Sequence, residues 1–270
     1  MTLLKSVGSL MDLRGRVALI TGGAGHIGRA MADALAELGA GIAVLDINEA
    51  AATETAAQIR AEYGVPTLAV GVDLTDDIAV RDTTDTVLRH LGRLDILVNN
   101  AALVGTSTLK GWGVPFDQQT AETWRLAMDV NLTAPFVLTQ AARTALAASG
   151  HGTVINIGSI YGMVAPDMSL YAGTALGNPA AYAASKGGLL QLTRWLTTVL
   201  APDIRVNAIT IGGVWRNQAP GFTERYVSRT PLGRMATEED LKGAIAYLAS
   251  DLSAYVTGHN LVIDGGWTAW

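Results

Sequence analysis

The sequence predicts an α/β fold: one Rossmann-type, doubly wound domain whose seven parallel strands carry helices on both faces. Three observations lead there. Short apolar runs alternate with longer amphipathic ones along the chain, which is the pattern of crossover units. The apolar runs are continuous rather than alternating, as in strands buried on both faces. No linker, change of composition or long repeat interrupts residues 1–270.

The elements follow in order. After a short extension over 1–12, VALIT (17–21) is the first strand and 26–38 the first crossover helix. IAVLD (42–46) precedes a helix over 49–63, TLAVGV (67–72) one over 76–91, and DILVN (95–99) is the fourth strand. The pattern predicts one long helix over 120–148, a strand at 153–158, a helix over 180–200 and a strand at 204–210. A helix over 238–249 and a last strand at 260–264 complete the set. Right-handed crossovers make these seven strands a doubly wound sheet. Two irregular stretches remain, 160–179 and 212–236; long loops inside a compact domain are commonly functional, so both are assigned to the substrate side.

Composition excludes several function classes. The 19 basic and 24 acidic residues give a net charge of -5, which argues against a nucleic-acid partner or a basic membrane face. There is no cysteine, and the four histidines (26, 90, 151, 259) show no metal-ligand spacing, so neither disulfides nor a metal are expected. The N-terminal apolar stretch is too short for a signal peptide and no other run is long enough to span a bilayer, so the expected location is cytoplasmic.

TGGAGHIG (21–28) follows the first strand and opens the first helix. Gly22, Gly25 and Gly28 allow a sharp turn, and the amides around His26 and Ile27 can receive a pyrophosphate at the helix N-terminus. Asp46 ends the second strand, the place from which a carboxylate accepts hydrogen bonds from the adenosine ribose. It would repel a 2′-phosphate, and neither Ile47 nor Gly25 offers a cation to offset it. NAD is therefore favoured over NADP.

In NPAAYAASKGG (178–188), Tyr182 and Lys186 stand four apart and share one helical face. A phenol titrates near pH 10 and is a poor base at neutrality, but an adjacent ammonium lowers its pKa. TGGAGHIG, NNAA (99–102), MDVNL (128–132), INIGSIYG (155–162), YAASK (182–186) and VIDGG (262–266) resemble, in order and spacing, the short-chain dehydrogenase/reductase family. The resemblance runs from about residue 12 to the end. It implies an oxidoreductase that interconverts an alcohol and a carbonyl by hydride transfer to or from a nicotinamide coenzyme, with Tyr182 as general acid/base. Lys186 would lower the Tyr182 pKa and bind the nicotinamide ribose, and Ser159 would hydrogen-bond the substrate oxygen. Asn131 would hold a water of a proton relay. The resemblance further puts Asp73 and Leu74 against adenine, Asn100 and Ala101 along the adenosine ribose, and Gly213 and Val214 on the coenzyme's backbone path. Asn100 and Ala101 read nearly as well as a structural strand end.

The chain also departs from that pattern. His26 replaces a glycine in the first turn, Ala102 the last glycine of NNAG, and Ile211 a proline. Arg216 stands where a threonine often anchors the carboxamide, and joins Asn217, Gln218, Arg225 and Arg229 in a polar, cationic set suited to a sugar hydroxyl or phosphate, so Arg216 is also a substrate candidate. Ser159 and Tyr182 are further apart than usual, and the extra residues, 161–180, should shape the substrate pocket. Tyr171 is set aside as a base because position 175 is alanine. The long loop, the Arg-Asn-Gln run and DGGWTAW resemble the branch that includes flagellin-modification and surface-sugar oxidoreductases, which implies a sugar or sugar derivative as substrate. A 3-oxoacyl thioester or simple ketone is the alternative, and a non-catalytic dinucleotide-binding regulator the alternative of another class. Small apolar helix faces at 120–148 and 180–200, with Trp267 and Trp270 near the terminus, predict a homotetramer or a homodimer.

Overall fold

The computed structural model describes residues 4–104, 109–174 and 176–270. Its elements in order are α1 (Val7–Met11), β1 (Val17–Thr21), α2 (His26–Glu37), β2 (Gly41–Asp46), α3 (Glu49–Tyr63), β3 (Thr67–Gly71), α4 (Asp77–Leu91) and β4 (Ile96–Asn99). There follow α5 (Ala121–Met128), α6 (Ala134–Ala148), β5 (Thr153–Ser159), α7 (Ala180–Leu200), β6 (Arg205–Ile211), α8 (Pro220–Ser228), α9 (Lys242–Ala249) and β7 (Asn260–Ile263). The strands form one sheet in the order β3-β2-β1-β4-β5-β6-β7, and every pairing is parallel. The chain direction across the sheet switches beside β1, between β2 and β4, and ligands of doubly wound sheets bind at the carboxyl edge of that point.

Alternate residues of each strand feed opposite layers. Ala18 and Ile20 of β1 pack with Met31 and Leu35 of α2, Ile59 of α3 and Ile245 of α9. Val17 and Leu19 pack on the other face, with Val87 of α4, Leu138 of α6 and Leu196 of α7. Continuous burial along β1, β4 and β5 therefore reflects two covered faces, which explains the uninterrupted apolar runs.

The single helix expected over 120–148 is broken. α5 ends at Met128, Asp129–Thr133 form a π turn, and α6 starts at Ala134. The Ala134 N–H reaches back five residues to the Asp129 carbonyl. Pro135 follows in the first turn of α6; it has no N–H to donate to the Asn131 carbonyl four residues back, so the regular ladder cannot pass through this point. The stretches 160–179 and 212–236 are also more ordered than the sequence suggested: they contain short 3-10 turns at Ile160–Gly162 and Met168–Tyr171, and all of α8. Among the described residues no helix is long and apolar enough to cross a membrane.

Candidate active site

The turn between β1 and α2 is held from below by β4. Thr21 Oγ1 accepts from the N–H groups of Asn100 and Ala101, both at 3.0 Å, while Asn100 Nδ2 donates to the carbonyls of Thr21 (2.9 Å) and Gly22 (3.2 Å). Gly22 takes φ +61°, and a Cβ on Gly28 would lie 2.2 Å from the Gly22 carbonyl oxygen. Both positions thus require glycine, the first for conformation and the second for space. His26, where the usual pattern has glycine, opens α2 with its side chain exposed. Gly25 offers no side-chain cap and the first turn of α2 carries no acidic residue, so the helix N-terminus faces a ligand's negative charge without an internal competitor.

A cleft of about 400 Å³ opens above this turn. Gly22, Gly25, His26, Ile27 and Gly28 line one wall; Asp46, Ile47, Asp73, Leu74, Asn100 and Ala101 line the rest, with Arg216 at one side. Asp46 is fixed at the tip of β2: its Oδ2 accepts from Ala24 N at 3.2 Å and its Oδ1 from Asn48 N at 3.1 Å. Asp73 is more committed to its own loop, since its Oδ1 accepts both the backbone N–H and the hydroxyl of Thr75 at 2.9 Å. Gly213 and Val214 lie apart from this cleft. Gly213 lines a smaller cavity of about 120 Å³ beneath Tyr226, and Val214 pairs with Ala236 in a parallel bridge.

Asn131, Ser159, Tyr182 and Lys186 gather where β5 meets α7. The rotation of α7 is set by buried polar contacts: Asn99 Nδ2 donates to Asn156 Oδ1 (2.8 Å), whose Nδ2 donates to Thr193 Oγ1 (2.9 Å). Ser159, at the end of β5, is 5% exposed and Lys186 3%. Lys186 Nζ donates to the Ile157 carbonyl at 2.7 Å and lies 6.0 Å from the centre of the Tyr182 ring. Asn131, carried on the π turn, donates to the Leu103 carbonyl (3.2 Å) and the Ser185 hydroxyl (3.0 Å), and its Oδ1 accepts from Leu103 N (2.8 Å). Leu103 also lines the cleft, so this amide joins the two halves of the site. Ser185, whose hydroxyl donates to the Tyr182 carbonyl at 2.9 Å, was not a sequence candidate; an interior serine on a buried helix face is its sole signal.

The electrostatics differ from the expectation of a phenol acidified by lysine. Burial raises the Tyr182 phenol, opposed by the Ser159 hydroxyl and reinforced by Tyr171. Burial lowers Lys186 to about 8. Desolvation pushes each group toward its neutral form, and the ammonium faces a backbone carbonyl rather than the phenolic oxygen.

The cationic set of the 212–236 stretch is dispersed. Arg225 donates to the carbonyls of Leu170 (2.9 and 3.1 Å) and Ala172 (2.8 Å), and Arg229 pairs with Asp167. These two arginines fasten α8 to the 160–179 segment, and so are not available as sugar or phosphate ligands. Gln218 is spent on its own turn. Arg216 borders the glycine-turn cleft, paired with Glu238 at 3.2 Å, and among the described residues makes no hydrogen bond to Ser159 or Tyr182. Beside them, Tyr171 donates to Tyr161 at 2.9 Å and Asn178 to Tyr171 at 3.4 Å.

A family model described as enoyl-(acyl carrier protein) reductase matches residues 22–268. The chain is 34% identical to a cis-4-hydroxycyclohexanecarboxylate dehydrogenase of Sinomonas cyclohexanicum, over 94% of this chain and 97% of that protein. The crystal structure of a short-chain type dehydrogenase/reductase from Mycobacterium marinum superposes with a TM-score of 0.85 at 34% identity, covering 98% and 100% of the two chains. That of a gluconate 5-dehydrogenase from Burkholderia cenocepacia, in complex with NADP and tartrate, gives 0.87 at 32% identity and the same coverage. Fold, motif order and full-length similarity agree: the chain belongs to the short-chain dehydrogenase/reductase family of oxidoreductases.

Proposed function

We propose that this protein interconverts an alcohol and a carbonyl using a nicotinamide dinucleotide, with NAD preferred. The observation that carries the reading is the placement of Tyr182 and Lys186 on one face of α7, the first partly and the second fully buried, beside Ser159 and next to a cleft walled by the glycine turn and Asp46. The residues present fit a dinucleotide: Gly28 lets α2 start hard against the Gly22 carbonyl, where a Cβ would collide, the first turn of α2 carries no acidic residue, and Asp46 is braced by two backbone N–H groups. When bound, the nicotinamide supplies the hydride acceptor or donor.

The protein's part is to position the substrate and manage one proton. Tyr182, kept protonated by burial, is in the form that donates to a carbonyl oxygen, and Ser159 holds that oxygen with a second hydrogen bond. In the oxidative direction Tyr182 must first lose its proton, which is easier once the Lys186 ammonium turns from the Ile157 carbonyl toward the phenol. Asn131 ties Leu103, at the cleft, to Ser185, which stands on α7 between Tyr182 and Lys186.

For the substrate we infer a cyclic or polyhydroxylated alcohol. Similarity to a hydroxycyclohexanecarboxylate dehydrogenase and a gluconate 5-dehydrogenase supports this, as do the Tyr161 and Tyr171 hydroxyls that the 160–179 segment brings beside Tyr182. An acyl thioester is the second reading, favoured by the description of the matching family model. The test is absorbance of the reduced nicotinamide on mixing the protein with NAD or NADP and polyols, cyclic alcohols, sugars and 3-oxoacyl thioesters. Turnover of the first groups with NAD is expected. Binding of NAD without turnover of any would point to a regulator, and turnover of the thioesters alone would replace the substrate assignment. We also propose a homotetramer, supported by the exposed Trp124 and Phe136 of α5 and α6 and Trp195 of α7; light scattering would report its mass.

A further inference from the structure

Among the described residues that line the glycine-turn cleft, Arg216 is the sole lysine or arginine. Its direction is built in. The Arg216 N–H donates to Gln218 Oε1 at 2.7 Å and Gln218 Nε2 donates to the Val214 carbonyl at 2.8 Å, closing a turn in which Asn217 takes φ 55°. A non-glycine residue seldom adopts that left-handed conformation, although asparagine tolerates it, so the clasp fixes an uncommon backbone that carries Arg216 to the cleft. There the guanidinium pairs with Glu238, both side chains 33% exposed. Glu238 in turn lines an adjoining groove with Ala24 and His26, and His26 also lines the cleft. The ion pair therefore lies at the start of α2, the place where an anion is favoured.

We propose that Arg216 clamps the diphosphate of the coenzyme, and that Glu238 holds the guanidinium in reserve until that anion displaces it. This replaces a role for Arg216 in holding the substrate, and it rests on the nicotinamide reading above. The exchange is favourable because a guanidinium meets phosphate oxygens through two parallel charge-assisted hydrogen bonds, whereas a part-exposed carboxylate pair contributes about 1 kcal/mol or less. Arg216 also compensates for His26, which stands where a glycine would let the diphosphate lie closer to the turn.

Fluorescence titrations with NADH and NADPH on wild type, R216Q, E238Q and the double variant R216Q/E238Q test this, with substrate KM measured at saturating coenzyme. Both side chains are part-exposed, so the variants should fold. R216Q should raise the Kd of the preferred coenzyme roughly tenfold and leave substrate KM unchanged, and should flatten the salt dependence of binding. E238Q should lower that Kd about two- to fivefold, and the double variant should match R216Q, because Glu238 acts only through Arg216. An unchanged Kd in R216Q, with or without a raised substrate KM, overturns the assignment of Arg216 alone. Weaker binding in E238Q overturns the competition. If wild type binds neither nucleotide, the coenzyme reading fails first and this one with it.

Discussion

The two sides of the site are built differently. On the coenzyme side, short loops at the ends of neighbouring strands β1, β2, β3 and β4 supply most of the cleft walls, and those residues sit at positions their own strands dictate; Arg216, from beyond β6, is an exception. On the substrate side, α8, the 160–179 segment and the C-terminal turn are joined by contacts between residues far apart in sequence. Arg225 reaches the carbonyls of Leu170 and Ala172, 55 and 53 residues away. Trp267 stacks on Tyr226, centroids 5.9 Å apart, and meets Tyr161 edge-on at 6.3 Å. A cradle made from strand ends is set by the sheet, whereas the substrate wall exists only if its separate pieces dock together. The comparison predicts that changes on the substrate side alter substrate handling and stability together, while changes on the coenzyme side alter nucleotide affinity alone.

The largest expected effect lies at the seam between them. Tyr182→Phe removes the proton donor and almost no surface, so kcat should fall about 10²- to 10⁴-fold while NADH affinity stays near that of wild type; a variant that kept its kcat would remove Tyr182 from the chemistry. Lys186 offers a pH test. It is lowered from 10.5 to about 8 in the folded protein, so between those values the unfolded chain holds a proton that the folded one lacks, and folding stability must rise with pH. Relative to Lys186→Met, wild-type unfolding free energy should increase by about 2 kcal/mol between about pH 7.5 and about pH 9.5, measured by urea unfolding; parallel pH profiles would mean that Lys186 is not desolvated.

On the substrate side, Arg225→Ala strips hydrogen bonds from the carbonyls of Leu170 and Ala172. It should cost about 1–2 kcal/mol in stability and raise substrate KM without changing coenzyme Kd. A raised Kd there would break the contrast between the two sides. The smallest effect is expected at Asp46→Ala, which should narrow the preference for NAD over NADP about tenfold and leave the melting temperature close to wild type. If the wild type already prefers NADP, the Asp46 reading is wrong.

Much of this was legible in the chain itself. The strands from VALIT to NLVID can be read from continuous apolar runs, because a strand buried on both faces has no polar alternative, and the glycine turn can be read because Gly22 and Gly28 admit no side chain. The break between α5 and α6 was not read, although Pro135 marks it: a proline in a first helical turn is ordinary, and only the return of Asn131 to Leu103 shows that a new helix starts there. Arg225 and Arg229 looked like ligands because a sequence shows charge but not which carbonyl or carboxylate will face it.

The sequence by itself determined the doubly wound sheet, the family and the cluster of Asn131, Ser159, Tyr182 and Lys186 as candidates, since periodicity and motif spacing follow from local backbone geometry. Tertiary structure alone decided which arginines fasten α8 and which borders the cleft, and which way Lys186 points. It also decided that burial raises Tyr182 instead of lysine lowering it. Those outcomes depend on solvent exclusion and on partners distant along the chain, which local patterns do not encode.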